Sequence, residues 1–519
     1  MSFAKTYAAQ TVGLGAEIVD VEVDLSKGLH AFAVVGLPDK NVEESRDRVS
    51  AAIKNSGLAS PKSQNQKVVV SLAPADLKKE GPVFDLAIAL AYLLAHDDIG
   101  FDPEKKLFLG ELSLDGLVRG ISGALPIAAE AKKKGFTEIF VPKENAREAA
   151  LISGIAVYGV STLAEILEHL NEKKPAAKEK EKPRKKISRA PETNIVPESA
   201  DMFAVDFSEI KGQETAKRGM EIAAAGGHNI AMYGPPGTGK TMLAKAFSGI
   251  LPPLSSAEIL EITAIHSIAG TLKDDIVARS PVRSPHHTAS YVSIVGGGVI
   301  PKPGEVTLAH RGVLFLDEFP EFDRKVIDTL REPLEEGEIS ISRARGTHTF
   351  PANFILIAAM NPCPCGNAGS KTKSCICKPH DLARYERKIS GPIIDRIDLW
   401  TEVSQIDYEK LSAGGAVASE SKYIKSRVAA ARKIQAERFA KAGRNIKTNS
   451  EMAAKDIEKL IPLSPAVKEI LNASAKKLNL SARAYHRVIK LARTIADLEH
   501  ENEIAVPHIL EALQYRPKR

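Results

Sequence analysis

The sequence predicts a multidomain α/β protein with an α/β N-terminal part, a parallel-sheet nucleotide-binding part and an α-helical C-terminal part. Three observations carry this. Alternating apolar runs at Ile18–Asp24 and Ala31–Val35 read as strands and are followed by a helical pattern over 41–56. An apolar segment, Ile230–Tyr233, runs into a glycine-rich loop and then a helical stretch from Met242 to Gly249. From Tyr423 onward the apolar period becomes helical, with Val428, Ala431, Ile434 and Phe439 on one face. At 519 residues the chain exceeds what one core supports. Its 44% hydrophobic and 26% charged residues are those of an ordinary globular protein.

The elements divide the chain as 1–170 for the N-terminal α/β domain, 171–202 for a charged, flexible linker, 203–404 for the nucleotide-binding core and 405–519 for the helical domain. A further strand is expected at Val68–Leu72 in the first part, and strands at Ile230, Val313 and Phe354 alternate with helices in the core, as a parallel sheet requires. In the last part helices are expected at 457–461, 466–478, 482–498 and 506–513. Between Asn171 and Ala190 nine Lys and Arg face three Glu, enough by itself to account for the net charge of +6. Proline and interspersed glutamate make this tract a solvated linker, with a nucleic-acid contact as the alternative. No run of some twenty apolar residues and no secretory leader is present, so a cytoplasmic protein without a membrane span is expected.

Gly234-Pro235-Pro236-Gly237-Thr238-Gly239-Lys240-Thr241, followed by Met242, satisfies every position of the phosphate-binding loop G-x-x-x-x-G-K-[ST]. The glycines let backbone N–H groups close on a phosphate at a helix start, Lys240 brings charge to the β/γ-phosphates, and Thr241 offers a hydroxyl to Mg²⁺. ATP and Mg²⁺ are the expected cofactors. The apolar strand Val313–Leu316 ends in Asp317, placed to hold the Mg²⁺ shell, and Glu318, placed to polarise the attacking water. The next strand runs into Asn361, an amide that can hold that water or the γ-phosphate, or simply close its own turn. Arg396 and Arg483 are guanidinium groups of the kind a phosphoryl-transfer site uses.

All four cysteines, Cys363, Cys365, Cys375 and Cys377, lie in one C-x-C, nine-residue, C-x-C segment with His380 just behind. A tetrahedral thiolate zinc site is the sharp reading, and a reduced metal-free loop or a stress-formed disulfide the other. Adjacent His286 and His287 face apart on regular structure and read as a structural turn. Glu338–His348 reads as a hairpin, in which a continued strand puts Arg343 and Arg345 on one face.

In this order the phosphate loop, Asp317-Glu318, Asn361, Arg396 and Arg483 resemble the Walker A, Walker B, sensor 1, arginine finger and sensor 2 of an AAA+ ATPase. Ile210-Lys211-Gly212-Gln213 is similar to that superfamily's adenine-contacting segment. Ser284-Pro285-His286-His287-Thr288, Val295-Gly296-Gly297-Gly298, Pro301-Lys302-Pro303-Gly304-Glu305 and Asn361-Pro362-Cys363-Pro364-Cys365-Gly366 narrow the resemblance to the YifB/ComM family of magnesium-chelatase-like ATPases. That resemblance implies a ring, a hexamer, in which Arg396 reaches the neighbouring subunit's ATP. The hairpin looks like the presensor-1 hairpin that related rings point into their pore, where Arg343 and Arg345 would meet a phosphate backbone; pairing with nearby acids is the alternative. The 265–303 insert is similar to the clade's helix-2 insert.

Residues 1–170, with Gly110–Gly116 and Ile139–Asn145, resemble the Lon-peptidase (S5-like) fold. The nucleophile and lysine positions of such a peptidase fall on Val83 and Leu125, so a pseudo-peptidase module is expected, with Ser71, Asp76 and Asp85 as cap and turn residues. The resemblance implies an ATP-driven DNA translocase promoting branch migration in recombination or DNA uptake, with single-stranded or branched DNA as partner. The motor subunit of a magnesium-chelatase-type complex and a protein-remodelling ATPase are the alternatives.

Overall fold

The computed structural model describes residues 2–172, 186–195, 205–298, 302–343, 346–368, 373–406 and 420–517. Most of the expected 171–202 linker, Phe203, Pro301 and Arg345 lie outside the described residues. The chain is mixed α/β with a parallel sheet, and it divides into two compact units, one of residues 1–196 with 259–277 and one of 197–258 with 278–519.

In the first unit β1 (Phe3–Val12), β2 (Gly15–Lys27), β3 (Ala31–Val35) and β4 (Gln66–Ala73) form a sheet of order β1-β2-β4-β3. Val12 pairs with Gly15, so the β1–β2 connection is a two-residue turn, and Gly13 at φ +59° supplies the left-handed backbone such turns need. Between β3 and β4 the helical pattern resolves into a short turn of helix and α1 (Ser45–Asn55). Helix α2 (Asp85–Ala95) is apolar on every side, and ten of its eleven residues are buried, as an all-round hydrophobic helix demands. A second, parallel sheet of β5 (Lys106–Phe108), β6 (Glu138–Pro142) and β7 (Ala156–Val160) packs with α3 (Ala124–Lys133) and α4 (Leu163–Leu170). Phe108, Phe140 and Tyr158 stack across its strands at 5.1 and 4.9 Å.

The second unit starts with α5 (Glu214–Gly226), β8 (Ile230–Tyr233) and α6 (Lys240–Ile250), followed by β9 (Val282–Arg283) and β10 (Val313–Leu316). A hairpin of β11 (Glu338–Arg343) and β12 (Gly346–Pro351) precedes β13 (Ile355–Met360) and β14 (Leu399–Glu402). The five-stranded sheet has the order β9-β10-β13-β8-β14 with every pairing parallel. Its central strands are apolar throughout because helices cover both faces of such a sheet; all six residues of β13 are buried.

Among the described residues five α-helices follow: α7 (Glu420–Lys441), α8 (Ala454–Leu460), α9 (Pro465–Lys477), α10 (Ala482–Leu498) and α11 (Val506–Gln514). Their apolar faces join the sheet's own core, in one cluster from Met220, Phe247 and Ile357 to Val428, Leu491 and Ile509. On α7 the position expected of Ile434 is taken by Gln435, fully buried and hydrogen-bonded to Ala225 O and Asn449 N. No helix among the described residues is long and apolar enough to cross a membrane.

Candidate active site

Strands β8, β10 and β13 are parallel neighbours, so their C-terminal ends open on one edge of the sheet, where ligands of such folds bind. β8 leads into the 234–241 loop, β10 delivers Asp317 and Glu318, and β13 delivers Asn361. Gly237 and Gly239 hold φ of +78° and +93°. Gly234 is fixed by close approach instead: a Cβ there would lie 2.1 Å from Val403 O. Lys240, 8% exposed at the first turn of α6, donates to Gly234 O (2.7 Å), Pro235 O (2.9 Å) and Asn361 Oδ1 (3.2 Å). Burial lowers its pKa and the Asp317 charge opposes that.

Thr241 Oγ1 donates to Asp317 Oδ2 at 2.9 Å, and Asp317 Oδ1 accepts the Glu318 N–H at 2.9 Å. Adjacent oxygen ligands of octahedral Mg²⁺ at about 2.1 Å stand about 3.0 Å apart, so this hydroxyl and carboxylate fit one Mg²⁺ shell. Glu318 is half-exposed and sits at φ +51°, a left-handed conformation that costs a non-glycine residue energy and is retained at functional sites. Its Oε2 lies 3.2 Å from His287 Nδ1. His287, expected to be only part of a turn, is the side chain beside Glu318 that sequence reasoning did not place there. β9 ends four residues before it and pairs with β10, so loops leaving adjacent strand ends converge.

Around the loop, Thr238 Oγ1 donates to Pro235 O at 3.0 Å and Met242 is exposed. Gln213 takes a left-handed backbone and donates through Nε2 to Ser404 O at 2.6 Å. Arg396 is 7% exposed, donates to Pro392 O at 2.8 Å and pairs with Glu335, while its Nε is buried without a partner among the described residues. Arg483, more exposed, donates to the other oxygen of the same Glu335 at 3.0 Å. The two arginines thus meet on one carboxylate. Arg343 is the last residue of β11, and Arg345 lies outside the described residues.

The four cysteine sulfurs lie within 4.8 Å of one another, at 3.4 Å (Cys363–Cys365), 3.7 Å (Cys363–Cys375) and 3.6 Å (Cys365–Cys375) for three of the pairs. A tetrahedron with Zn–S of about 2.3 Å has S···S edges of about 3.8 Å, so the thiol set fits zinc. Backbone N–H groups of Asn367 and Ile376 pull the Cys365 thiol down to about 6, while burial and the neighbouring thiols push those of Cys375 and Cys377 up, so the geometry rather than the acidity of the set carries the zinc reading. His380 pairs with Asp381 and is not part of the group. The cysteine loop packs on the phosphate loop, since a Cβ on Gly366 would lie 2.8 Å from Pro236 Cδ.

In the first unit Val83 occupies a short turn and Leu125 is buried in α3, and neither side chain can ionise. Asp85, expected as a cap, makes no capping bond. Its buried carboxylate instead accepts from Arg48 Nε (2.6 Å), Ser45 and Leu112 N (3.2 Å).

A phosphate loop and an acid pair at the C-terminal ends of the parallel strands β8 and β10, with β13 between them, define a P-loop nucleotide-binding protein. Three family descriptions match the chain: magnesium chelatase, subunit ChlI over residues 206–411; subunit ChlI of Mg-chelatase over 21–145; and the ChlI C-terminal region over 418–516. The chain is 43% identical to competence protein ComM of Haemophilus influenzae, over 99% of its own length and 98% of that protein. It is 42% identical to YifB of Escherichia coli, over 99% and 97%, and 38% identical to Rv2897c of Mycobacterium tuberculosis, over 99% of each. The chain belongs to the YifB/ComM family of magnesium-chelatase-like AAA+ ATPases.

Proposed function

We propose that this chain is an ATP-hydrolysing ring motor that translocates on DNA and promotes branch migration during recombination or DNA uptake. The observation that carries the ATPase half is the Thr241–Asp317 contact with Glu318 next to Asp317 at the end of β10. In this reading the loop N–H groups and Lys240 hold the β/γ-phosphates, Thr241 and Asp317 hold Mg²⁺, which supplies charge neutralisation, and Gln213 borders the adenine. Asn361 and Glu318 orient the attacking water. Its oxygen bonds to Pγ, the bond from Pγ to the ADP oxygen breaks, and its proton passes to the Glu318 carboxylate. Arg396 and Arg483 stabilise γ-phosphate charge, Arg396 on the ATP of the neighbouring subunit in a hexamer.

The DNA half is supported by similarity to a protein named for competence and by the β11–β12 hairpin, whose first strand ends at Arg343; in this reading Arg343 and Arg345 would set two cations per subunit at the ring's pore. Residues 1–170 serve as a Lon-like assembly or gripping module, residues 405–519 as the helical lid, and zinc on the four cysteines as a staple for a polar loop. The whole motor works in the cytoplasm. The family descriptions favour one second reading, the motor subunit of a metal chelatase.

The test is ATP turnover with and without four-way and forked DNA. Stimulation that disappears when Arg343 and Arg345 are both replaced by Ala is expected, and Glu318→Gln should bind nucleotide yet not turn over. Turnover indifferent to DNA would refute the translocase reading and favour the chelatase motor.

A further inference from the structure

We infer that His287 is the positioning residue for the water-activating carboxylate, an inference that rests on the assignment of Glu318 above. His287 Nδ1 stands 3.2 Å from Glu318 Oε2. In its Nδ1–H tautomer the imidazole donates to that oxygen and leaves Oε1 free for the water. A carboxylate on a half-exposed side chain otherwise rotates among several rotamers, and a base contributes only in the orientation that meets the proton. The backbone of Glu318 is itself held at φ +51°, so both ends of this side chain are constrained toward one direction.

Two rings flank the imidazole. The His286 ring lies 4.2 Å away, centroid to centroid, and Phe322 meets its edge at 6.5 Å. It is not a core residue. Its side chain is 31% exposed and lines a cavity of about 480 Å³ shared with Ser290, Tyr291 and Asp323, so packing alone does not require a histidine here. The residue comes from the loop after β9, while Glu318 follows β10, and the parallel pairing of these strands brings the two together. The loop's Ser284–Thr288 segment therefore enters the hydrolysis site through its second histidine.

The test uses the full-length protein with ATP and Mg²⁺, and tryptophan fluorescence as the check on folding. His287→Ala should lower kcat about 10–100-fold, the usual cost of losing a partner that orients a reacting group, while the affinity for a fluorescent ATP analogue stays unchanged. His287→Asn, whose amide nitrogen falls where Nδ1 was, should recover most of the rate. Wild-type turnover in His287→Ala, an equal loss in His287→Asn, or a loss carried by nucleotide affinity would each overturn the inference. Normal turnover in Glu318→Gln alone would overturn the base assignment as well, so the two failures separate.

Discussion

Asp398 offers the most direct quantitative test of how the sheet and the C-terminal helices are joined. Its carboxylate is buried and accepts from Arg487 Nη1 (2.9 Å) on α10, from Asn229 N (3.2 Å), and lies 3.3 Å from His228 Nδ1. Burial by itself would push this carboxyl up, but the Arg487 charge and the His228 contact overrule it and hold it well below the usual carboxylate range. Asp398→Asn keeps the shape and one acceptor but leaves the buried His228 and the largely buried Arg487 facing a neutral amide. Breaking a buried pair from one side costs roughly 3–5 kcal/mol, and because Arg487 keeps some solvent contact the lower end, about 3 kcal/mol, is expected. That is about a hundredfold in the folded-to-unfolded ratio. Trp400, the chain's only tryptophan, lies two residues on in β14, so its fluorescence during urea unfolding reports this region, and urea leaves ion pairs unscreened. A carboxyl with a depressed folded pKa stabilises fully above its unfolded value of about 3.9 and loses that contribution as pH falls through the folded value. The wild-type advantage should thus be flat from neutral pH to about pH 5 and shrink only in stronger acid. A difference below about 1 kcal/mol at neutral pH, or one that fades between pH 7 and 5, would refute the reasoning.

Protein purified without chelator should carry about one zinc per chain, lost when Cys363 and Cys375 are both replaced by Ser; elemental analysis decides, and a content near zero removes the site. Gly234→Ala drives a Cβ into the Val403 carbonyl oxygen, which is backbone and cannot rotate away, so a loss of roughly 1–3 kcal/mol in urea unfolding and weaker nucleotide binding are expected. Wild-type behaviour in both measurements would count against the close approach.

What the sequence disclosed was local. The phosphate loop, the acid pair after an apolar strand and the following Asn361 are each set by a few consecutive residues, and strand 230–233 and helix 482–498 fall on their expected bounds. The contacts that were not legible join residues far apart in the chain. Nothing in 284–288 marks His287 as the partner of Glu318; only the pairing of β9 with β10 does so. Glu335 looks like one more acid on a solvated helix until Arg396 and Arg483 are seen on its two oxygens. Asp85 was indistinguishable from a helix cap because its position fits one, whereas Arg48 lies 37 residues away. Apolar periodicity likewise passes over Gln435, since a polar side chain can be buried wherever backbone groups satisfy it. The 259–277 segment, read with the nucleotide-binding core, groups with the first unit, and no motif marks that exchange.

The groups assigned to the triphosphate are already engaged within the chain, and the kinds of partner differ. Lys240 rests on two carbonyl oxygens and one amide oxygen, all neutral, so exchanging them for phosphate oxygens replaces ordinary hydrogen bonds with charge-assisted ones about twice as strong. On the proposed reading that exchange favours nucleotide binding without a second subunit. Arg396 and Arg483 rest on a carboxylate, so moving either to a phosphate trades one charged acceptor for another with little net gain. A ligand shifts an equilibrium only by its differential affinity. On the proposed reading, then, the arginines leave Glu335 only when something besides the phosphate favours the move, and the surface of an adjoining subunit is where that preference would arise. Binding would be a property of the single chain and rapid hydrolysis a property of the ring.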